Sequence, residues 1–288
     1  MGLFDGLHMK TRIDKKKGLQ ERFRNFVLEM RVRNFSSQTI DSYLYHNNRF
    51  LEFVKKEQRS VTSCDIKDYL NHLALHGAGP RTINMAISSL RSYYESYLGK
   101  RLFKNIKRPK IPKDMDPVLS QDEILSMIHN TKSLKHRLLI ELLYSSGMRV
   151  GECVKVKVED IQDNIVFVRK GKGKKDRFTI ASRGFVDGLR RYLLEREMQS
   201  EFLFDNGLGG HITIRAAEEI VKKAAKKAGI KRRVYPHLLR ACFTTHLLEK
   251  GVEDYKVQRL MGHSNLKTTM GYNRLRTDDL KKIRSPLD

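Results

Sequence analysis

Between Lys100 and Pro117 the chain reads KRLFKNIKRPKIPKDMDP, and no helix or strand can run straight through it. Pro109, Pro112 and Pro117 withhold backbone N–H donors and block a helix, while the surrounding like charges repel and extend the segment. The patterns on its two sides also differ. The 288 residues are therefore read as a basic arm or leader over 1–18, a helical domain over 19–100, a basic linker over 101–117 and a second domain over 118–288. That length suits two domains of about 100–200 residues each.

Before the break the periodicity is helical. Leu19, Phe23, Phe26, Val27 and Met30 share one stripe of a helix over Leu19–Arg33. Ser36 or Ser37 caps a second helix reaching about Lys56, the stretch from Thr62 to Asp65 starts a third, and Pro80 opens a fourth reaching about Leu98. After the break, Ser120 and Glu123 form a capping box for a helix to Asn130, and an apolar helix follows over Leu134–Tyr144. Asn164–Arg169 and Arg177–Ile180 are β-rich and flank KGKGKKD, the mark of a hairpin with a cationic tip. Helices are expected again over Phe185–Gln199, Ile214–Ala228 and Pro236–Lys250.

Charge points to the partner. The 57 Lys and Arg outnumber the 33 Asp and Glu, for a formal net charge of +24. Such an excess draws polyanions, because neutralising phosphates releases condensed counterions, and nucleic acid is favoured over a membrane or ribosomal surface. Cys64, Cys153 and Cys242 stand far apart without CxxC spacing, so neither disulfides nor zinc is expected and a reducing cytoplasm fits. No apolar run approaches a membrane span, and no targeting signal is read in Met1–Lys17. P-loop and GxGxxG patterns are not found, and no DxD or HExxH suggests a metal site, so no cofactor and no metal are expected.

The chemistry concentrates in the second half. In the segment PHLLR, His237 and Arg240 lie three apart on one face at a helix N-terminus, where backbone N–H groups and the helix dipole already favour an anion. Twenty-three residues past Arg240 stands His263 in MGHSN, and nine further on Tyr272. Upstream, SSGMRVGE places Arg149 beyond a helix-breaking glycine, with Glu152 able to brace it. Lys172 sits at the hairpin tip among Lys170, Lys174 and Lys175, where a solvated charge run is the bland alternative. His211, Tyr235 and Tyr255 are read as loop, packing or surface residues.

The ordered set Arg149, Lys172, His237, Arg240, His263 and Tyr272 resembles the signature of the tyrosine recombinase family. Within that family it looks most similar to the compact Xer-type site-specific recombinases, the archaeal ones in particular. The match spans Asp116–Asp288; Ala241 departs from it, standing where many relatives carry a histidine. The resemblance implies a mainly α fold with a small β-sheet or hairpin in the second domain. It implies a four-helix core-binding domain followed by an α+β catalytic domain, together forming a C-shaped DNA clamp. It implies Tyr272 as nucleophile, Arg149 and Arg240 stabilising the phosphate, His263 assisting them, His237 moving the tyrosine proton and Lys172 as general acid. Double-stranded DNA with inverted half-sites would be the partner, bound by a dimer per site and a tetramer at synapsis, with residues 280–288 docking on a neighbouring protomer and an accessory protein allowed.

DNA contacts outside this set are expected from Lys104, Lys107, Arg108 and Lys110 in the linker, from Lys170, Lys174 and Lys175, and from Lys222, Lys226, Arg232 and Arg233. The rival functions are type IB topoisomerase-like relaxation and a non-enzymatic basic DNA-binding protein. A phage-type integrase with a separate arm-binding domain is disfavoured by the short stretch before Leu19. Resolution of chromosome dimers at a dif-like site is the activity the resemblance points to most directly.

Overall fold

The computed structural model describes residues 18–111, 118–169, 176–196, 200–262 and 284–288. The chain divides into two compact units, Met1–Asp114 and Met115–Asp288. No described helix is long and apolar enough to cross a membrane.

In the first unit the helix starts follow their caps. The Ser36 side chain accepts the Thr39 N–H and begins Ser37–Val54, while Thr62 and Asp65 form a reciprocal capping box that begins Ser63–Leu75. Pro80 opens Pro80–Arg91. Each device suits a helical first turn, whose N–H groups have no partner inside the helix. The first helix departs from expectation. It breaks at Phe23 and resumes as Arg24–Val32, and the Phe23 ring packs edge-on against Tyr93 with centroids 5.3 Å apart. The fourth helix widens into a π turn over Ser92–Tyr97, where Tyr93 and Tyr94 are buried.

The basic stretch after Lys100 adds to this core. Phe103 is only 1% exposed, and Leu102 and Ile106 pack beside it. The Arg91 guanidinium lies 5.3 Å from the Phe103 ring centroid, and Asn84 Nδ2 donates to the Pro109 carbonyl at 3.0 Å. Arg108 donates to the Asn84 carbonyl and to Ser88 Oγ, so this candidate DNA contact is engaged within the unit. Prolines forbid a helix here but not packing, and as far as Ile111 the segment is a strap on the helical unit. Lys104, Lys107 and Lys110 remain exposed along it.

In the second unit, Leu134–Ser146 runs through the core with Leu138, Leu139, Ile140, Leu142, Leu143 and Tyr144 all buried. Ser120 and Glu123 do form the capping box of Gln121–His129. The hairpin is antiparallel, with Ile165 opposite Ile180 and Val168 opposite Arg177. A third strand, Ile161–Gln162, pairs with Ile165–Val168 and makes the sheet three-stranded. Two residues are too few to show an alternating pattern, and the sequence reading misses this strand. It also misses the helix Asp254–Met261, whose inward side is only Val257, Leu260 and Met261. The remaining helices are Val150–Cys153, Arg183–Glu195, Ile214–Lys227 and Pro236–Glu249.

The end of the chain packs locally in the single chain. Of the segment expected to dock on a neighbour, residues 284–288 are described, and they lie against their own unit. The Asp288 carboxylate accepts the Arg183 N–H at 2.9 Å, Ser285 is buried and Leu287 packs on the core. Arg183 opens a helix, so its N–H is one of the orphan donors that a carboxylate satisfies.

The strap gives a measurable expectation. Phe103→Ala should destabilise the first unit by about 3–5 kcal/mol, the usual cost of emptying a buried aromatic site. Urea unfolding followed by tyrosine fluorescence would check it, since a solvated hinge at this position would leave the midpoint unchanged.

Candidate active site

The helix Leu134–Ser146 ends at Gly147, which takes the left-handed conformation at φ 60°. A Cβ there would meet Phe243 Cδ1 at 2.3 Å, so a side chain is excluded by both conformation and space. The left-handed turn lets the chain restart two residues on, and Arg149 caps the short helix Val150–Cys153. Glu152 then reaches back. Its Oε2 accepts the Arg149 backbone N–H at 2.9 Å, and its Oε1 accepts Arg149 Nη1 at 2.9 Å. The brace expected between these two residues is present.

A third residue, which the sequence reading does not single out, completes the arrangement. Arg177, first in its strand, donates from Nη1 to Glu152 Oε1 at 3.0 Å and from Nη2 to Glu152 Oε2 at 2.7 Å. Its Nε donates to the Leu260 carbonyl at 2.9 Å. The available signal was a charged residue starting a strand opposite the buried Val168. A side chain there is drawn inward and needs a buried anion.

The Glu152 side chain is 9% exposed. Burial pushes its pKa up, but hydrogen bonding and charge from Arg177, and hydrogen bonds from Arg149, more than reverse this and bring it to about 2. It is ionised throughout the neutral range, yet it offsets only one of the two arginine charges.

Arg240 enters from the first turn of Pro236–Glu249 and is 2% exposed. It donates from Nη1 to the Gly147 carbonyl, and from Nη2 to the Met261 carbonyl at 2.6 Å. Desolvation lowers its pKa to about 10, helped by the charges of Arg149 and Arg177 and opposed by Glu152. It remains a cation at neutral pH. His237, one turn before it, is exposed at the rim. Its pKa is lowered first by partial desolvation and then by the nearby Arg240 and Arg149 charges. The helix Asp254–Met261 ends at Gly262, left-handed at φ 62°, where a Cβ would stand 2.8 Å from Arg177 Cδ.

The structure thus gathers Arg149, Glu152, His237 and Arg240, and adds Arg177. With more guanidinium than carboxylate the cluster carries a net positive charge suited to an anion, and Arg149 at 29% side-chain exposure is the more open of the two expected arginines. Lys172, His263 and Tyr272 lie outside the described residues, as do Lys170, Lys174 and Lys175. Among the other candidate DNA contacts, Lys222, Lys226 and Arg233 are exposed. Arg232 instead pairs with Glu123 at 2.6 Å, on the carboxylate that caps Gln121–His129.

Comparisons with known proteins place the chain in a family. The profile of the phage integrase family matches residues 117–278, and that of the phage integrase N-terminal SAM-like domain matches residues 23–103. The chain is 33% identical over 262 residues to the tyrosine recombinase XerA of Pyrococcus horikoshii, covering 89% of this chain and 90% of the relative. It is 31% identical over 288 residues to the tyrosine recombinase XerC of Leptospira interrogans, covering 93% of each. Its fold is similar to that of a lambda integrase dimer bound to a core site, with a TM-score of 0.69 at 18% identity, covering 90% of this chain and 99% of the other.

Removing the central carboxylate should be costly. Glu152→Ala leaves two buried or half-buried arginines without their anion and should destabilise by about 3 kcal/mol. Its pH signature follows from the shift. A carboxylate whose pKa falls from 4.5 to about 2 on folding adds stability that is present above pH 4.5 and is lost as pH drops towards 2. Denaturant unfolding between pH 2 and 6 should therefore lose part of its acid slope in Glu152→Ala.

Proposed function

The chain belongs to the tyrosine recombinases of the phage integrase family, which cut and rejoin DNA, and on that premise we propose that Tyr272 attacks a phosphodiester held between Arg149 and Arg240. The product is a 3′-phosphotyrosine link, which conserves the energy of the broken bond so that rejoining needs no nucleotide triphosphate. The observation that carries this reading is the convergence of Arg149 and the buried Arg240 on one anion site, with His237 at its edge.

Each residue type suits its task. Attack builds negative charge on the non-bridging oxygens, and two permanently charged planar forks stabilise that charge. Burial of Arg240 lowers the local dielectric and strengthens its pull on the phosphate. Tyrosine is a poor nucleophile until its proton has a destination. The lowered pKa of His237 keeps this imidazole neutral near pH 7, in the state that accepts a proton. Lys172 supplies a proton to the departing 5′-oxygen, and His263 adds a hydrogen bond to the phosphate.

The proposed assembly is a dimer on inverted half-sites and a tetramer at synapsis, formed on double-stranded DNA in the cytoplasm. The proposed task is Xer-like resolution at a dif-like site, supported by 33% identity to a XerA protein over most of the chain. Exposed Lys104, Lys107, Lys110, Lys222, Lys226 and Arg233 would follow the phosphate backbone.

The direct experiment is covalent trapping on a nicked substrate carrying the candidate site. Wild type should give a protein–DNA adduct on denaturing gels, while Tyr272→Phe should bind DNA and give none. An adduct of normal yield from that variant would overturn the assignment. Arg240→Lys keeps the charge but loses the fork, and cleavage at saturating protein should fall by about 10²–10³-fold with affinity little changed. The cleavage rate of wild type should also fall as His237 becomes protonated, at a pH below its usual 6.5, and His237→Ala should flatten that limb.

A further inference from the structure

Arg177 stands outside the six residues that the family signature supplies, yet its contacts reach both segments that hold Arg240. Arg240 donates to the carbonyls of Gly147 and Met261. Arg177 donates to Glu152 and to the carbonyl of Leu260. Leu260 and Met261 are the last two residues of the helix Asp254–Met261. Carbonyls at a helix C-terminus have no partner within the helix and carry its negative dipole end, so cationic N–H donors are their natural partners. Two guanidinium groups take two consecutive carbonyls and fix where the helix stops. The chain then enters Gly262, whose missing side chain leaves room for the Arg177 stem, and continues to His263.

The second half of the contact set concerns Arg149. Without Arg177, Glu152 holds the Arg149 side chain by one hydrogen bond between residues three apart. With it, each Glu152 oxygen accepts two N–H donors, one from each arginine, and the carboxylate plane is fixed. Arg177 is 10% exposed at its side chain and spends Nε, Nη1 and Nη2 on protein acceptors. It is therefore built to orient other groups, not to bind the phosphate. Lysine could not replace it, since one ammonium cannot bind a carboxylate bidentately and also reach the carbonyl in a fixed plane.

We propose that Arg177 is a positioning residue for strand cleavage, setting Arg149 through Glu152 and the end of the helix Asp254–Met261 through the Leu260 carbonyl. The proposal rests on the reading of Arg149 as a stabiliser of phosphate charge, and its test separates the two. Wild type, Arg177→Lys and Arg149→Ala are compared, as full chains, in single-turnover cleavage of two nicked substrates. One has an ordinary scissile phosphate. In the other a methyl group replaces one non-bridging oxygen, which removes a negative charge and so reduces the need for Arg149.

On ordinary DNA, Arg177→Lys should bind within about twofold of wild type and cleave about 10²-fold more slowly, as expected for a small misplacement of a catalytic group. On the methylphosphonate the deficit of Arg177→Lys should shrink together with that of Arg149→Ala. Equal impairment on both substrates would reduce Arg177 to a fold-holding residue and overturn the proposal, as would normal cleavage of ordinary DNA. Should Arg177→Lys fail to fold, Arg177→Gln combined with Glu152→Gln removes the buried charges together and undergoes the same comparison. Absence of an adduct from wild type, or an undiminished deficit of Arg149→Ala on the methylphosphonate, would instead strike the functional reading on which this one depends.

Discussion

A carboxylate taken out of water is costly unless cations and N–H donors surround it, and Glu152 is surrounded by both. Four hydrogen bonds from Arg149 and Arg177 converge on its two oxygens. The Arg149 backbone N–H bond closes the first turn of a four-residue helix that would be too short to persist alone. The Arg177 bonds tie that turn to the sheet. Through one buried acid, the loop after Leu134–Ser146, the hairpin strand and the end of Asp254–Met261 share a single geometry.

This explains why the site can carry so much positive charge. Arginines brought close together repel one another, and this repulsion adds to desolvation in lowering the pKa of Arg240. Glu152 and the carbonyls of Gly147, Leu260 and Met261 distribute negative potential among the cations without neutralising them. Enough unbalanced charge remains to attract an anion. Under the proposed mechanism, the hydrogen bonds that hold the arginines leave little reorganisation for the reacting complex.

Signals that act over three or four residues are legible in the sequence. The capping boxes at Thr62 and Ser120, the His237 and Arg240 pair, and the Glu152 brace all belong to this class. What was missed depends on distance along the chain. Arg177 meets Glu152 from 25 residues away and Leu260 from 83, and neither separation leaves a periodic trace. Phe103 looks like one apolar residue in a charged run until the first core closes around it. Asp288 meets a helix N-terminus within its own unit, 105 residues back, a contact with no local trace either. The strand Ile161–Gln162 was invisible for a different reason, since it exists only by pairing with its neighbour.

Gly147 and Gly262 stand at the two ends of this network, each left-handed and each pressed by side chains that belong to it: Phe243 and Met261 at the first, Arg177 at the second. Their crowding has a consequence for anyone reshaping the enzyme by directed evolution. A library that randomises the arginines and their acid explores charge and reach, but one that touches either glycine changes backbone and packing at once and will be emptied by misfolding. Under the proposed function, binding strength is better tuned among the exposed lysines of the strap and of Ile214–Lys227, where substitutions leave the backbone undisturbed and variation can accumulate in small steps.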